Sequence, residues 1–269
     1  MENSKINISE IYGIDGEATL ETFVHSETPG TKDYVQDLPC IIICPGGSYI
    51  LVADVEAEPI AIDYYNRNYN AFVLRYSVCP ARYPVALTQL ACSVDYVRRH
   101  ADEFHINPDR IFVGGFSAGG HLVGSFANLW SEIPNDLIDT STLDCKPNGI
   151  MLGYPVIFPK SNVGSFQHLL GDDYEKHPAL PNLILDESVN DKNPPCFIWT
   201  TATDKAVSAT ATTRYMTALI EHKILCECHV FPRGRHGGST CDSRTNSSWD
   251  EFGNARIWLD LSAEFFSKI

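Results

Sequence analysis

The stretch Cys40-Ile41-Ile42-Ile43-Cys44 is apolar at five consecutive positions, and that feature narrows the fold more than any other. A strand with one wet face alternates apolar and polar residues, whereas a strand covered on both faces does not. Further strand-like runs recur at 70–76, 111–113, 150–154, 196–201 and 226–231, each bounded by turn residues and separated by longer amphipathic stretches. Short strands alternating with helices predict an α/β fold, a mostly parallel sheet of about eight strands with helices on both faces. The 269 residues fit one such domain spanning the chain.

Several elements follow from local signals. Residues 1–30 read as antiparallel edge strands running to about Val24, followed by a surface loop at Thr28-Pro29-Gly30-Thr31. A helix is expected over 56–68. Another starts at Pro84, whose missing N–H costs nothing in a first turn, and runs to about Phe104 with Leu87, Leu90, Ala91, Val94 and Val97 facing the sheet. Asn107-Pro108-Asp109 reads as a turn. A helix between the last two strands buries Ala211, Tyr215, Ala218 and Leu219, and residues 249–266 close the chain as a helix. Residues 157–195 match no regular pattern and are expected to form a lid-like excursion over one end of the sheet.

Composition excludes several functions. Lys and Arg number 20 against 34 Asp and Glu, a net charge of −14, so phosphate backbones and anionic lipid surfaces are repelled; no nucleic-acid or membrane partner is expected. No apolar run is long enough to span a bilayer, and the polar start lacks the basic-then-apolar order of a secretion signal, so a cytoplasmic location is expected. Nine cysteines, an odd number lying partly in core strands, suit buried free thiols better than a disulfide framework.

Gly115-Phe116-Ser117-Ala118-Gly119 is a G-x-S-x-G pentapeptide placed directly between a strand and a helix-like stretch. In that context the turn lifts the Ser117 hydroxyl above the carboxyl edge of the sheet, and the flanking glycines leave room for the neighbouring strand and helix. A serine hydroxyl needs a base within hydrogen-bond reach, which in this arrangement follows later in the chain, after an acid. His236, in the loop Pro232-Arg233-Gly234-Arg235-His236-Gly237-Gly238, is placed for that role; His222 ends a helix and His229 lies inside a strand. Asp204, just past the 196–201 strand, is the candidate acid, since Ser208 can cap the following helix. Asp186, Glu187 and Asp191 are weaker rivals inside the excursion. Oxyanion donors are expected at Ala118 and, after the first long buried strand, at Gly46 and Gly47.

Other features weigh less. His121 reads as a packed structural histidine. Cys226-Glu227-Cys228-His229 cannot share one metal ion, because strand alternation sends His229 to the face opposite the two thiols. Tyr49, Trp130, Tyr154 and Trp199 are core residues by default. No phosphate-binding loop or dinucleotide fingerprint occurs in a suitable context, so no cofactor or metal is expected.

Taken together, Pro45-Gly46-Gly47-Ser48-Tyr49, the stretch from Gly115 to Leu122, Gly153-Tyr154-Pro155-Val156, Asp204 with Val207, and Arg235-His236-Gly237 resemble the α/β-hydrolase fold esterases, specifically the small bacterial acetyl esterase and acetylxylan-esterase-like branch. The resemblance runs from about residue 38 to the C-terminus. It implies Ser117 as nucleophile, His236 as base, Asp204 as orienting acid, and Gly47 with Ala118 as oxyanion donors assisted by Gly46. It also implies short-chain, mainly acetyl, esters as substrates, those of sugars included. One departure is that related esterases often read His-Gly-Gly-Gly where this chain has Pro45-Gly46-Gly47-Ser48. The competing readings are a serine peptidase or thioesterase on the same scaffold, and a hydrolase-like binding protein without activity. The expected partner is a small-molecule ester, and a homo-oligomer is compatible with the sequence.

Overall fold

The computed structural model describes residues 4–26, 37–133 and 138–269. Eight strands form one open sheet: β1 (Lys5–Asn7), β2 (Thr19–Phe23), β3 (Leu38–Cys44), β4 (Asn70–Arg75), β5 (Ile106–Phe116), β6 (Gly149–Gly153), β7 (Cys196–Thr201) and β8 (Cys226–Phe231). Their order across the sheet is β1-β2-β4-β3-β5-β6-β7-β8. The β1–β2 and β2–β4 pairs are antiparallel, and every pair from β4 to β8 is parallel. This is the mostly parallel, eight-stranded sheet expected from the alternation of strands and helices. The loop expected at 28–31 lies outside the described residues.

The uninterrupted apolar runs are explained by two cores. Cys40, Ile42 and Cys44 of β3 join Phe72, Leu74, Ile111, Val113, Ile150, Leu152 and Ile198 on one face. Ile41 and Ile43 join Ala71, Val73, Phe112, Met151, Phe197 and Trp199 on the other. The first face is covered by α3 (Val85–Arg99), α4 (Ser117–Leu129) and α6 (Ala209–Glu221), the second by α2 (Glu58–Tyr65) and α7 (Trp258–Ser267). Ala211, Tyr215, Ala218 and Leu219 of α6 are buried as expected. Each apolar residue of such a strand therefore has somewhere dry to go, whichever way it points.

Four details differ from the sequence reading. A short helix, α1 (Ile8–Tyr12), interrupts the edge strands, capped by the Asn7 side chain accepting from the Glu10 N–H at 3.1 Å. β5 continues back through Asn107-Pro108-Asp109 to Ile106, which pairs with Leu38. The next pair is Cys40 with Ile111, so the extra residues bulge out of the ladder rather than ending it. Residues 157–195 are more regular than their composition suggests: α5 (Val163–Leu170), capped by Asn162, and four short 3-10 turns fill much of the segment. Phe166, Leu183 and Leu185 from this segment are buried in the α4-side core. The expected closing helix is broken at Gly253 (φ 58°) into two 3-10 turns followed by α7. Among the described residues, no helix is long and apolar enough to cross a membrane. All nine cysteines are unpaired, and six of them are buried.

Candidate active site

β5 runs through the middle of the sheet and passes without a connecting loop into α4, whose first residue is Ser117. The bend forces Ser117 to φ 51°, a left-handed conformation that side-chain-bearing residues rarely adopt. The two glycines of the pentapeptide have steric reasons to be there. A Cβ on Gly119 would lie 2.1 Å from the carbonyl oxygen of Cys44, and one on Gly115 would lie 2.3 Å from that of Gly119. No side chain fits at such distances, so β3, β5 and α4 can meet around the serine only if both positions are glycine.

Ser117, His236 and Asp204 converge at the carboxyl edge. The Ser117 hydroxyl and His236 Nε2 are 2.8 Å apart, and His236 Nδ1 lies 2.7 Å from Asp204 Oδ2. The Asp204 side chain is almost wholly buried, and its other oxygen accepts from the N–H groups of Ala206 (2.8 Å) and Val207 (2.9 Å). An ionised carboxylate only accepts, so Nδ1 carries the imidazole proton and the Nε2 lone pair faces the serine hydroxyl. Ser208 caps α6 by accepting from the Thr210 N–H, which leaves Asp204 to the histidine. The rival acids are engaged elsewhere, Asp186 with Arg214 and Asp191 with His222, and His229 pairs with Glu227 at 2.7 Å. His121 is buried, accepting from Tyr49 through Nδ1 and donating to the Leu183 carbonyl through Nε2 (2.9 Å each). Burial lowers its pKa to about 4, so it is a neutral strut.

Two of the three expected oxyanion donors remain available. Ala118 is the second residue of α4, and first-turn amides have no acceptor within the helix. The Gly47 N–H donates to no acceptor among the described residues; its φ of 128° follows from the tight turn, in which Ile50 and Leu51 both donate to the Gly47 carbonyl. Gly46 must be corrected. Its N–H donates to Glu56 Oε2 at 2.7 Å and is not free for a substrate. Gly46 serves instead by its bareness, since a Cβ there would come within 3.0 Å of the Ser117 Cβ.

Two residues of the site escaped the sequence reading as functional groups, Glu56 and Tyr154. Glu56 looked like an ordinary acid at a helix start, yet it is buried, and it accepts from Tyr154 Oη at 2.6 Å as well as from Gly46. Its sequence neighbourhood does not single it out, since Asp54 and Glu58 stand beside it in the same stretch. Beside His236 a groove of about 660 Å³ opens, with Lys205, Arg233 and Arg235 among its lining residues. Among the described residues there is no cluster of side chains suited to holding a metal ion.

A family model described as BD-FAE matches residues 30–219. The chain belongs to the BD-FAE family. Endo-1,4-beta-xylanase B of Butyrivibrio fibrisolvens is 32% identical over 216 residues, covering 78% of this chain and 34% of the relative. The acetylxylan esterase of Xylanibacter ruminicola is 26% identical over 239 residues, covering 86% and 45%. This BD-FAE chain thus spans between a third and a half of the length of those two relatives. Its likeness to the crystal structure of an acetyl ester-xyloside bifunctional hydrolase from Caldicellulosiruptor lactoaceticus extends over 98% of this chain and 96% of the other. The TM-score is 0.83 at 30% identity. The BD-FAE chain accordingly has the α/β-hydrolase fold that its sheet order and strand–serine–helix turn indicated.

Proposed function

We propose that the protein is a serine carboxylesterase that hydrolyses short-chain acyl esters, acetyl esters of carbohydrates in particular. The observation that carries this reading is the unbroken chain of two short hydrogen bonds from Ser117 through His236 to Asp204. His236 Nε2 takes the hydroxyl proton as Ser117 Oγ attacks the ester carbonyl, and the imidazolium is held by Asp204 without proton transfer to the acid. The tetrahedral oxyanion accepts from the N–H groups of Ala118 and Gly47. Collapse breaks the bond to the alcohol oxygen, which leaves with the proton from Nε2. Water, deprotonated by the same nitrogen, then cleaves the acyl-enzyme and frees Ser117.

The similarity to an acetylxylan esterase and to an acetyl ester-xyloside hydrolase supports acetylated sugars as the substrate class. The groove of about 660 Å³ beside His236 has room for a sugar unit. The test compares wild type with Ser117→Ala on p-nitrophenyl acetate, longer acyl esters, acetylated xylo-oligosaccharides, thioesters and aminoacyl amides. Wild type should favour acetyl esters, take up one fluorophosphonate per chain at Ser117, and lose on the order of 10⁴-fold or more in kcat on substitution. A Ser117→Ala enzyme as active as wild type would refute the mechanism. Preference for thioesters or amides would move the protein to a thioesterase or peptidase, and absence of adduct and turnover would make it a binding protein.

A further inference from the structure

One buried charge in the site is not used by the triad. Glu56 is 4% exposed and, among the described residues, has no cationic partner. Such a carboxylate is tolerated only where hydrogen bonds replace its water. The Gly46 N–H donates to Oε2 at 2.7 Å and the Tyr154 hydroxyl to Oε1 at 2.6 Å. Tyr154 Oη in turn accepts from the N–H of Ser239 at 2.9 Å, three residues beyond His236. The ring of Tyr154 also stands edge-on against the imidazole of His236, with centroids 5.0 Å apart. Alongside this chain, the Ser239 hydroxyl donates to the carbonyl of Val55, the residue before Glu56.

These contacts join parts that the sheet keeps apart. The loop carrying Gly46 and Gly47 follows β3, whereas the loop carrying His236 follows β8, with β5, β6 and β7 between them. At roughly 4.8 Å per strand, that separation is about 19 Å across the ladder. Tyr154 follows β6, near the middle of the gap. It sits at φ 37° and Ser239 at φ 49°, left-handed conformations that persist in residues with side chains when surrounding bonds hold them. Facing Glu56 are Tyr154 from β6, the imidazole of His236 and, from the end of β4, Tyr76, whose hydroxyl donates to the Pro45 carbonyl at 2.6 Å. Burial raises the pKa of Glu56, and the donors Tyr154 and Gly46 and the nearby His236 pull it back. Burial also holds Tyr154 well above the usual phenol range, so it keeps the proton it donates.

From this geometry we propose that Glu56 and Tyr154 are positioning residues that tie the oxyanion loop to the histidine loop, fixing donor and base relative to one carbonyl. The proposal rests on the esterase reading given above. Glu56 touches no substrate; it sets where the Gly47 amide and His236 stand. Because the donor and the base act together only in the transition state, the tie affects turnover more than substrate binding.

The experiment measures kcat and KM for p-nitrophenyl acetate in wild type, Glu56→Gln and Tyr154→Phe, normalised to sites titrated by a fluorophosphonate, with the Tm of each. Glutamine offers one acceptor oxygen in place of two, so either the Gly46 amide or the Tyr154 hydroxyl loses the acceptor it donates to. Glu56→Gln should lose on the order of 10²-fold in kcat, with KM within about threefold of wild type. Tyr154→Phe, which keeps the carboxylate but frees the Ser239 amide, should lose about tenfold in kcat with KM equally steady. If Glu56→Gln does not fold, Tyr154→Phe decides alone. Variants with wild-type kcat per titrated site, whatever their Tm, would overturn the tie, as would a loss confined to KM. A wild type that neither turns over esters nor labels at Ser117 would instead refute the esterase reading, and this inference with it.

Discussion

Substituting Asp204 by asparagine exchanges one oxygen for an NH₂ group and leaves the shape of the side chain intact. Asp204 Oδ1 accepts from two backbone amides, Ala206 at 2.8 Å and Val207 at 2.9 Å, whereas Oδ2 accepts from the single donor His236 Nδ1 at 2.7 Å. Asparagine will therefore keep its oxygen on the two amides and turn its NH₂ towards the imidazole, since the reverse would set a donor against two donors. Facing an NH₂, Nδ1 must become the acceptor and the proton moves to Nε2. The nitrogen 2.8 Å from the Ser117 hydroxyl then carries a hydrogen and cannot take another. Replacing the acid in this way costs about 10⁴-fold in kcat, equivalent to about 5.4 kcal/mol of barrier. Hydrolysis of p-nitrophenyl acetate at neutral pH gives the rate, a melting curve shows whether the turn survives, and ¹⁵N NMR of the imidazole reports which nitrogen is protonated. Activity within tenfold of wild type, or a proton remaining on Nδ1 in the variant, would refute the reasoning.

Two further outcomes follow from the same structure. Gly119→Ala would push a methyl group to 2.1 Å from the Cys44 carbonyl oxygen and 2.4 Å from that of Pro45. It should cost about 1–3 kcal/mol in urea unfolding and also depress kcat, because the backbone that must yield carries the nucleophile; an unchanged midpoint and rate would contradict the packing argument. His121 is buried with its pKa lowered to about 4, so between pH 6.5 and 4 the unfolded chain binds a proton that the folded chain refuses. Stability attributable to this site is complete above pH 6.5 and falls by about 1.4 kcal/mol per pH unit below it. His121→Gln should flatten the acid-side slope of unfolding free energy by up to one proton, and an identical slope would show that His121 does not titrate this way.

Much of the site could be read from the residues because its parts lie where chain punctuation is strongest. Ser117 is framed by glycines at a strand–helix junction, and Asp204 and His236 follow strand ends in the required order. Ile41 and its neighbours marked a doubly covered strand without any knowledge of what covered it. Failures came where the deciding contact is distant in sequence. Nothing near Gly46 reveals that its amide is taken by Glu56, ten residues on. An acid at the start of a helix looks the same whether it meets solvent or a buried tyrosine on another strand. The helix α5 was missed because its eight residues sit among prolines and glycines, although Asn162 and Gly171 at its two ends carried the cap signal. At Asn107-Pro108-Asp109 a turn signal was expressed as a bulge, since pairing with β3 resumes beyond it.

The nucleophile and its base do not share equal support. Ser117 grows from β5, flanked by β3 and β6, while His236 hangs from β8, the margin of the sheet, bonded to β7 alone. Loosening of the outermost strand would leave the base's loop hanging on its bonds to Tyr154 and Val55, while the hydroxyl stays seated in an intact interior. With one ladder neighbour instead of two, the base depends on those moorings in a way that the nucleophile does not.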